Sequence, residues 1–398
     1  MTLTPTYNIL MYSHDTYGLG HIRRSIAIAS HLSAKEVNIL ILTGSPLAGR
    51  FALPDQVDFV RIPGMIKKTN DEYQSLSIRI DPNQALNIRK NIIFATTTAF
   101  KPDLFIVDKE PLGLKREVLP TLEWLRKSLP ETKTILGLRD VLDDSPVVCK
   151  DWSEKNVYAY LEELYDEIWI YGNREIYDPI VEYKIPSSLK PKICFTGYIP
   201  RKHWPQTVRN KIRKRYRILE EDVFILVTTG GGGDGCELLD HYLSMHDFFP
   251  TSLPFKSLMI TGPFMPKSSR EKIKKRAKRY GIKSQPFHPR MEQLIGAADL
   301  VISMGGYNTL CEILSQQTPA LIIPRETPRK EQLIRATKLT EQGLIDFLPW
   351  SNVSAQLLRD KIMTILTRSH EYKEKMAGFK LSGLDTMRER MEHFRDCS

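Results

Sequence analysis

Short apolar runs alternate along the chain with stretches whose apolar positions recur at helical spacing. The runs are Tyr7 to Met11, Val37 to Leu42, Val57 to Ile62, Leu104 to Val107, Thr134 to Leu138, Glu167 to Ile170 and Ile193 to Thr196. Later in the chain come Val223 to Val227, Ser257 to Ile260, Leu300 to Ser303 and Ala320 to Ile323. Each reads as a buried strand. Helical spacing, as in Ile22, Ile26 and Ala29, predicts a helix after Gly20 and others at Asn83 to Phe100, Arg116 to Leu129, Thr207 to Tyr216, Lys267 to Arg279 and Met291 to Ala297. Tyr307 to Ser315, Ala355 to Leu366 and Tyr372 to Phe394 complete the predicted helices. Strands alternating with helices predict an α/β fold with doubly wound sheets. The polar stretch from Pro63 to Asp81 breaks this rhythm and reads as a long loop able to fold over a ligand.

At 398 residues the chain exceeds what one core usually serves, so two domains are expected. Gly197 to Gln206, with two prolines and no periodicity, reads as the linker. It separates a first Rossmann-like domain, residues 1–198, from a second, 199–369.

The chemistry gathers where strands end in glycine. Leu300 to Ser303 runs into Gly305-Gly306 and then a helix opening with Tyr307, Asn308 and Thr309, a turn that brings a ligand against the backbone and the positive end of a helix. Glu312 on that helix suits two vicinal hydroxyls, as in ribose recognition, and Glu331-Gln332 beyond the next strand would meet a sugar. The same features also suit plain strand–helix packing and a solvated helix face, and it is their joint spacing that favours a ligand. The glycine loop with Gly231, Gly232 and Gly233 could cradle a phosphate on its amides, although it lacks the Lys-Ser/Thr ending of a P-loop.

Near the start, Gly18 and Gly20 lead into His21 and Arg23 at a loop–helix junction. The missing third glycine and missing acidic partner disfavour a nicotinamide cofactor, and no other cofactor is expected. A neutral His21 is a fit general base toward a hydroxyl or water. Asp108 and Glu110 close one strand and Asp140 another, so acids stand at the same sheet edge. Asp108 would orient His21 or bind acceptor hydroxyls, or serve as a helix cap.

The pattern Gly305-Gly306-Tyr307-Asn308-Thr309, Glu312, Pro319, Pro324 and Glu331-Gln332 resembles the donor site of GT-B glycosyltransferases of family 28, which include the UDP-N-acetylglucosamine transferase of peptidoglycan synthesis and the galactolipid synthases. The resemblance implies two Rossmann-like domains facing across a cleft, with Glu312 on the ribose, the glycine turn on the diphosphate and Glu331-Gln332 on the hexose. It also implies that the final segment, 370–398, crosses back to the first domain. GLGHIRRSIAIA is similar to the first loop of family 28 transferases and equally to GxGHxxR in a UDP-sugar hydrolase of the same fold. The expected function is therefore metal-independent transfer of a hexose from a nucleoside-diphosphate sugar, UDP-linked by the resemblance, to an acceptor hydroxyl. Nucleotide-sugar hydrolysis or epimerisation, and a silent sugar-nucleotide or membrane-surface binding protein, stand as alternatives.

Bulk properties narrow the partners. Five scattered cysteines, Cys149, Cys194, Cys236, Cys311 and Cys397, form no CxxC or Cys/His cluster, so reduced thiols and no metal site are expected. No apolar run approaches the ~20 residues of a membrane span, and the N-terminus lacks a basic leader, which predicts a cytoplasmic protein. The formal charge of +10 concentrates at Arg209 to Arg217 and Lys267 to Arg279. In the second run Ile273, Ala277 and Tyr280 line one helix face, leaving a basic outer face that is solvated or meets an acidic membrane surface or anionic, lipid-linked acceptor. Nucleic acid is not expected, because no aromatic platform accompanies the charge.

Overall fold

The computed structural model describes residues 6–14, 20–67, 73–248 and 254–396. The chain forms two compact units, Met1–Ile199 with Ser382–Ser398, and Pro200–Leu381.

The first unit begins with β1 (Tyr7–Ser13), α1 (Gly20–Leu32), β2 (Val37–Thr43) and β3 (Val57–Arg61). A small hairpin, β4 (Met65–Lys67) and β5 (Tyr73–Ser75), precedes α2 (Pro82–Phe100) and β6 (Leu104–Asp108). Then follow α3 (Leu119–Ser128), β7 (Lys133–Arg139), α4 (Ser145–Glu154), α5 (Val157–Leu164), β8 (Glu167–Tyr171), α6 (Pro179–Glu182) and β9 (Ile193–Phe195). The sheet runs β3-β2-β1-β6-β7-β8-β9, with every pairing parallel. Such strands are covered on both faces, which is why Leu104, Phe105, Ile106 and Val107 are almost wholly buried.

The second unit holds α7 (Gln206–Tyr216), β10 (Val223–Thr228), α8 (Cys236–Phe248), β11 (Phe255–Ile260), α9 (Lys267–Arg279), β12 (Lys283–Gln285) and α10 (Met291–Ala297). It continues with β13 (Leu300–Ser303), α11 (Tyr307–Gln316), β14 (Ala320–Ile322), α12 (Glu331–Glu341), β15 (Asp346–Phe347), α13 (Ala355–Thr367) and α14 (Ser369–Gly378). Its sheet order is β12-β11-β10-β13-β14-β15, again all parallel. The last helix, α15 (Gly383–Asp396), belongs to the first unit, where Met387, Met391 and Phe394 are buried and Arg390 pairs with Glu167.

Four expectations need correction. The polar stretch after Pro63 is no plain loop: β4 and β5 pair antiparallel, Met65 with Ser75, and Met65 joins Ala85 and Leu114 in a small core. The helix expected from Arg116 starts at Leu119, because Lys115 and Arg116 take left-handed φ values of 48° and 63° and Pro120 sits in the first turn of α3. The helix expected over Tyr372 to Phe394 is two. Between them Ser382 Oγ donates to Thr196 O at 3.0 Å and Gly383 N to Tyr198 O at 3.0 Å, and a Cβ at Gly383 would lie 2.7 Å from that same oxygen. The chain therefore changes unit at Ser382, later than residue 370, because α14 still buries Tyr372 and Met376 in the second unit. Finally, much of the expected linker is a strap on α11. Arg201 N donates to Ser315 Oγ at 2.8 Å, and Gln316 Nε2 to Lys202 O at 2.8 Å.

Candidate functional site

Each sheet reverses its winding once, between β1 and β6 in the first unit and between β10 and β13 in the second. Ligands of open α/β sheets bind outside the carboxyl ends of the strands at such switch points.

In the first unit, α1 opens with Gly20 and His21, and β6 ends in Asp108. His21 Nδ1 lies 2.5 Å from Asp108 Oδ2, and the ring is 15% exposed. Arg24, one helical turn on and 2% exposed, reaches the same carboxylate: Nε donates to Oδ1 at 3.0 Å, and Nη2 lies 2.7 Å from both oxygens. Burial pushes the Asp108 carboxyl upward, but Arg24 and then His21 outweigh it and hold the group well below the usual carboxylate range. Burial dominates at His21 and lowers its pKa to about 4, against the pull of Asp108. The imidazole is thus neutral at pH 7. With the Nδ1 proton assigned to the short contact with Asp108, the Nε2 lone pair is left basic.

The support for this triad is layered. The Arg24 guanidinium carbon sits 5.6 Å from the centre of the Tyr171 ring. Tyr171 occupies space that only glycine leaves on the neighbouring strand, since a Cβ on Gly137 would lie 1.8 Å from the Tyr171 hydroxyl oxygen. Lys109 holds a left-handed φ of 71° while its N–H donates to Gly137 O at 2.7 Å, so backbone strain follows Asp108 directly. His14, 4% exposed, stands edge-on to His21 at 5.8 Å. Beneath it, Tyr12 donates to Glu117 Oε1 at 2.6 Å, and Arg89 Nε donates to Glu117 Oε2 at 2.6 Å.

Of the other residues expected here, Gly18 lies outside the described residues. Arg23 is half-buried and one position off the face shared by His21 and Arg24. Glu110 pairs with Lys109 Nζ at 3.4 Å. Asp140 is 1% exposed and accepts from the Tyr198 hydroxyl at 2.8 Å, so it serves the packing of the unit rather than an open acceptor surface. Arg24 is the residue that sequence reading passed over. Its signal was the GxGHxxR spacing, which selects Arg24, not Arg23, as the partner of His21.

In the second unit the switch point is built from backbone. Gly305 has a φ of 74°, and a Cβ there would fall 2.6 Å from Ile322 Cγ2, so its glycine is structurally required. Gly306 has no such reason: its φ is −60° and a Cβ would meet nothing within 4 Å among the described residues. It occupies the N-cap of α11 with no side-chain cap, leaving anion-binding geometry at the helix start. On the adjacent loop, Gly232 has a φ of 87° and abuts Thr261 O, while Gly231 is half-buried and Gly233 exposed.

Tyr307 is 2% exposed beneath Arg335, whose guanidinium lies 5.7 Å from its ring centre. Asn308 accepts from Arg201 Nη2 at 2.9 Å, and Thr309 is half-buried. Glu312 is 1% exposed, which rules out a solvated helix position. Glu331 begins α12 and pairs with Arg325 Nη2 at 2.5 Å, and Gln332 Oε1 accepts from Arg325 N at 2.9 Å. Arg325, which also binds Asp234, was missed because nothing local to it signals a role.

Two parallel, doubly wound sheets with candidate sites at both switch points make this the α/β fold of GT-B glycosyltransferases. Solved structures agree: the chain is similar to MurG of Acinetobacter baumannii with a TM-score of 0.62 and 12% identity, covering 98% of this chain and 100% of that one. It is likewise similar to the UDP-GlcNAc 2-epimerase of Neisseria meningitidis with a TM-score of 0.60 and 15% identity, over 98% and 100% of the two chains. At such identities the likeness shows the fold alone. Residues 225–391 match the glycosyltransferase family 28 C-terminal domain. A curated relative from Clostridium kluyveri, UDP-N-acetylglucosamine–N-acetylmuramyl-(pentapeptide) pyrophosphoryl-undecaprenol N-acetylglucosamine transferase, is 33% identical over 88 residues, 22% of this chain. That match spans only 25% of the relative's length.

Proposed function

We propose that the protein is a glycosyltransferase that moves a hexosyl group from a nucleoside-diphosphate sugar to an acceptor hydroxyl. The observation that carries the reading is the position of the Gly305 to Gln332 motif, at the switch point of a sheet inside the region that matches family 28. The second unit holds the donor. The uncapped start of α11 and the glycine-loop amides take the negative charge of the diphosphate, and Glu312 addresses the ribose.

His21 in the first unit is the general base. The acceptor oxygen forms its bond to the anomeric carbon, the bond from that carbon to the diphosphate oxygen breaks, and the acceptor proton passes to His21 Nε2. Asp108, kept ionised by Arg24, offsets the imidazolium charge that this creates. The step calls on no metal. The name of the Clostridium relative supports a UDP-linked donor and a lipid-linked acceptor here. An acidic membrane surface suits the exposed lysines of α9, among them Lys272, Lys274, Lys275 and Lys278. Among the described residues no helix is long and apolar enough to cross a membrane.

Calorimetric titration with UDP, GDP, TDP and CMP, with EDTA present, tests the donor site. Saturable binding of one nucleotide, lost in Glu312→Gln, is expected; no binding at millimolar concentration overturns it. Nucleotide released from the sugar conjugate only when acceptor is added marks a transferase. Equal release in its absence marks a hydrolase.

A further inference from the structure

The strand order β10-β13-β14 places the Gly305-Gly306 turn between two flanking loops, one after β10 and one after β14. A single side chain joins those loops across it. Arg325, after β14, donates through Nη1 to Asp234 Oδ2 at 2.7 Å on the glycine loop, and through Nη2 to Glu331 Oε1 at 2.5 Å.

The two carboxylates are unequal. The Glu331 side chain is 6% exposed, and its pair with Arg325 is expensive to separate because a buried charge would be stranded. The Asp234 side chain is 46% exposed, and an ion pair half open to water is weak. Arg325 is therefore anchored on one side and lightly tied on the other. Its Nε is buried with no hydrogen-bond partner among the described residues, as is Glu331 Oε2, so both groups retain bonding capacity. Asp234 also puts a negative charge on the glycine loop assigned above to the phosphate, where it repels an incoming anion. A diphosphate offers more charge and more acceptor oxygens than one carboxylate, and a guanidinium binds it in a fork.

We propose that Asp234 is a built-in stand-in for the donor's diphosphate. When a nucleoside diphosphate binds, Arg325 releases Asp234 and takes a phosphate oxygen while keeping Glu331. Arg325 is then a donor-binding residue and Asp234 an internal competitor. The proposal rests on the donor site read above in the second unit, and predicts opposite signs for two neutralising substitutions.

The test titrates the full-length protein with UDP and with uridine, comparing wild type, Asp234→Asn, Arg325→Gln and Arg325→Lys. Asp234→Asn should tighten UDP by about twofold to fivefold, the strength of a half-exposed ion pair read as affinity, and leave uridine unchanged. Arg325→Gln should weaken UDP by roughly 10- to 100-fold, as for a lost charge-assisted hydrogen bond, with Arg325→Lys in between. Weaker UDP binding by Asp234→Asn, the behaviour of a strut that merely holds the loop, overturns the exchange, as does wild-type affinity in Arg325→Gln. Should thermal melting show Arg325→Gln unfolded, Asp234→Asn decides alone. If the wild type binds no UDP, the donor reading falls and the exchange with it; binding by the wild type without gain in Asp234→Asn overturns the exchange only.

Discussion

The two units share a topology and use it in opposite ways. At the switch point of the first, side chains carry the proposed chemistry: an ionised Asp108, a buried Arg24 and a neutral His21 lie within hydrogen-bond distance of one another. At the switch point of the second, glycines clear the way for backbone, and the charged groups stand to its sides, Arg325 and Asp234 on flanking loops and Glu331 at the start of α12. Proton transfer needs one group of tuned pKa, which burial and a paired charge supply. Holding a diphosphate needs many modest donors, which amides supply without the penalty of burying charge.

The largest effect is expected of His21→Ala. Turnover, followed as nucleotide released at saturating donor, should fall by about 10²- to 10⁴-fold, while UDP affinity by calorimetry stays within about twofold of wild type. Unchanged turnover would move catalysis out of the first unit. Next is Asp108→Asn, which strands the Arg24 guanidinium in the interior. The unfolding transition of the first unit in urea should lose about 3–5 kcal/mol while nucleotide binding by the second persists. Gly137→Ala acts one layer further out, by driving a methyl group into Tyr171. About 1–3 kcal/mol of stability should go, with turnover falling because Arg24 loses its support, and a silent substitution would show that the ring moves freely.

The glycine pair separates packing from binding. Gly305→Ala should destabilise by about 1 kcal/mol or more, since φ and space both oppose it. Gly306→Ala should leave the melting temperature alone and still weaken UDP, because only a ligand competes for that space. Normal UDP affinity in Gly306→Ala would leave the backbone role without support.

Over the working pH range the effect should be smallest. A base whose pKa is lowered from 6.5 to about 4 stays unprotonated, so kcat/KM should be flat from pH 8 to about 5 and fall below that. As pH falls, the unfolded chain binds this proton before the folded protein does. The contribution of neutral His21 is complete above pH 6.5 and is lost as pH falls from 6.5 through about 4. An acid limb near pH 6.5 in the rate profile would mean that His21 is solvated as the free enzyme turns over.

Much of the architecture was legible because it is local. Leu104 to Val107 and Leu300 to Ser303 announce buried strands by composition, and Gly305 announces a turn by a backbone conformation that favours glycine. The hairpin after Pro63 was not legible, since its strands are short and polar and its one core residue, Met65, finds Ala85 and Leu114 only in the folded unit. The break before Gly383 was hidden for the same reason: the carbonyls that select it belong to Gly197 and Tyr198.

By itself the sequence determined the α/β class, the strands at both switch points and the types of residue gathered there, because periodicity and backbone preference act over a few neighbouring positions. Which charges meet was settled by the folded arrangement alone. His21 and Asp108 are 87 residues apart and Asp234 and Arg325 are 91 apart, and these pairings depend on sheet order and helix phase. That phase put Arg24 rather than Arg23 on the carboxylate, and burial, a property of the whole fold, keeps His21 neutral.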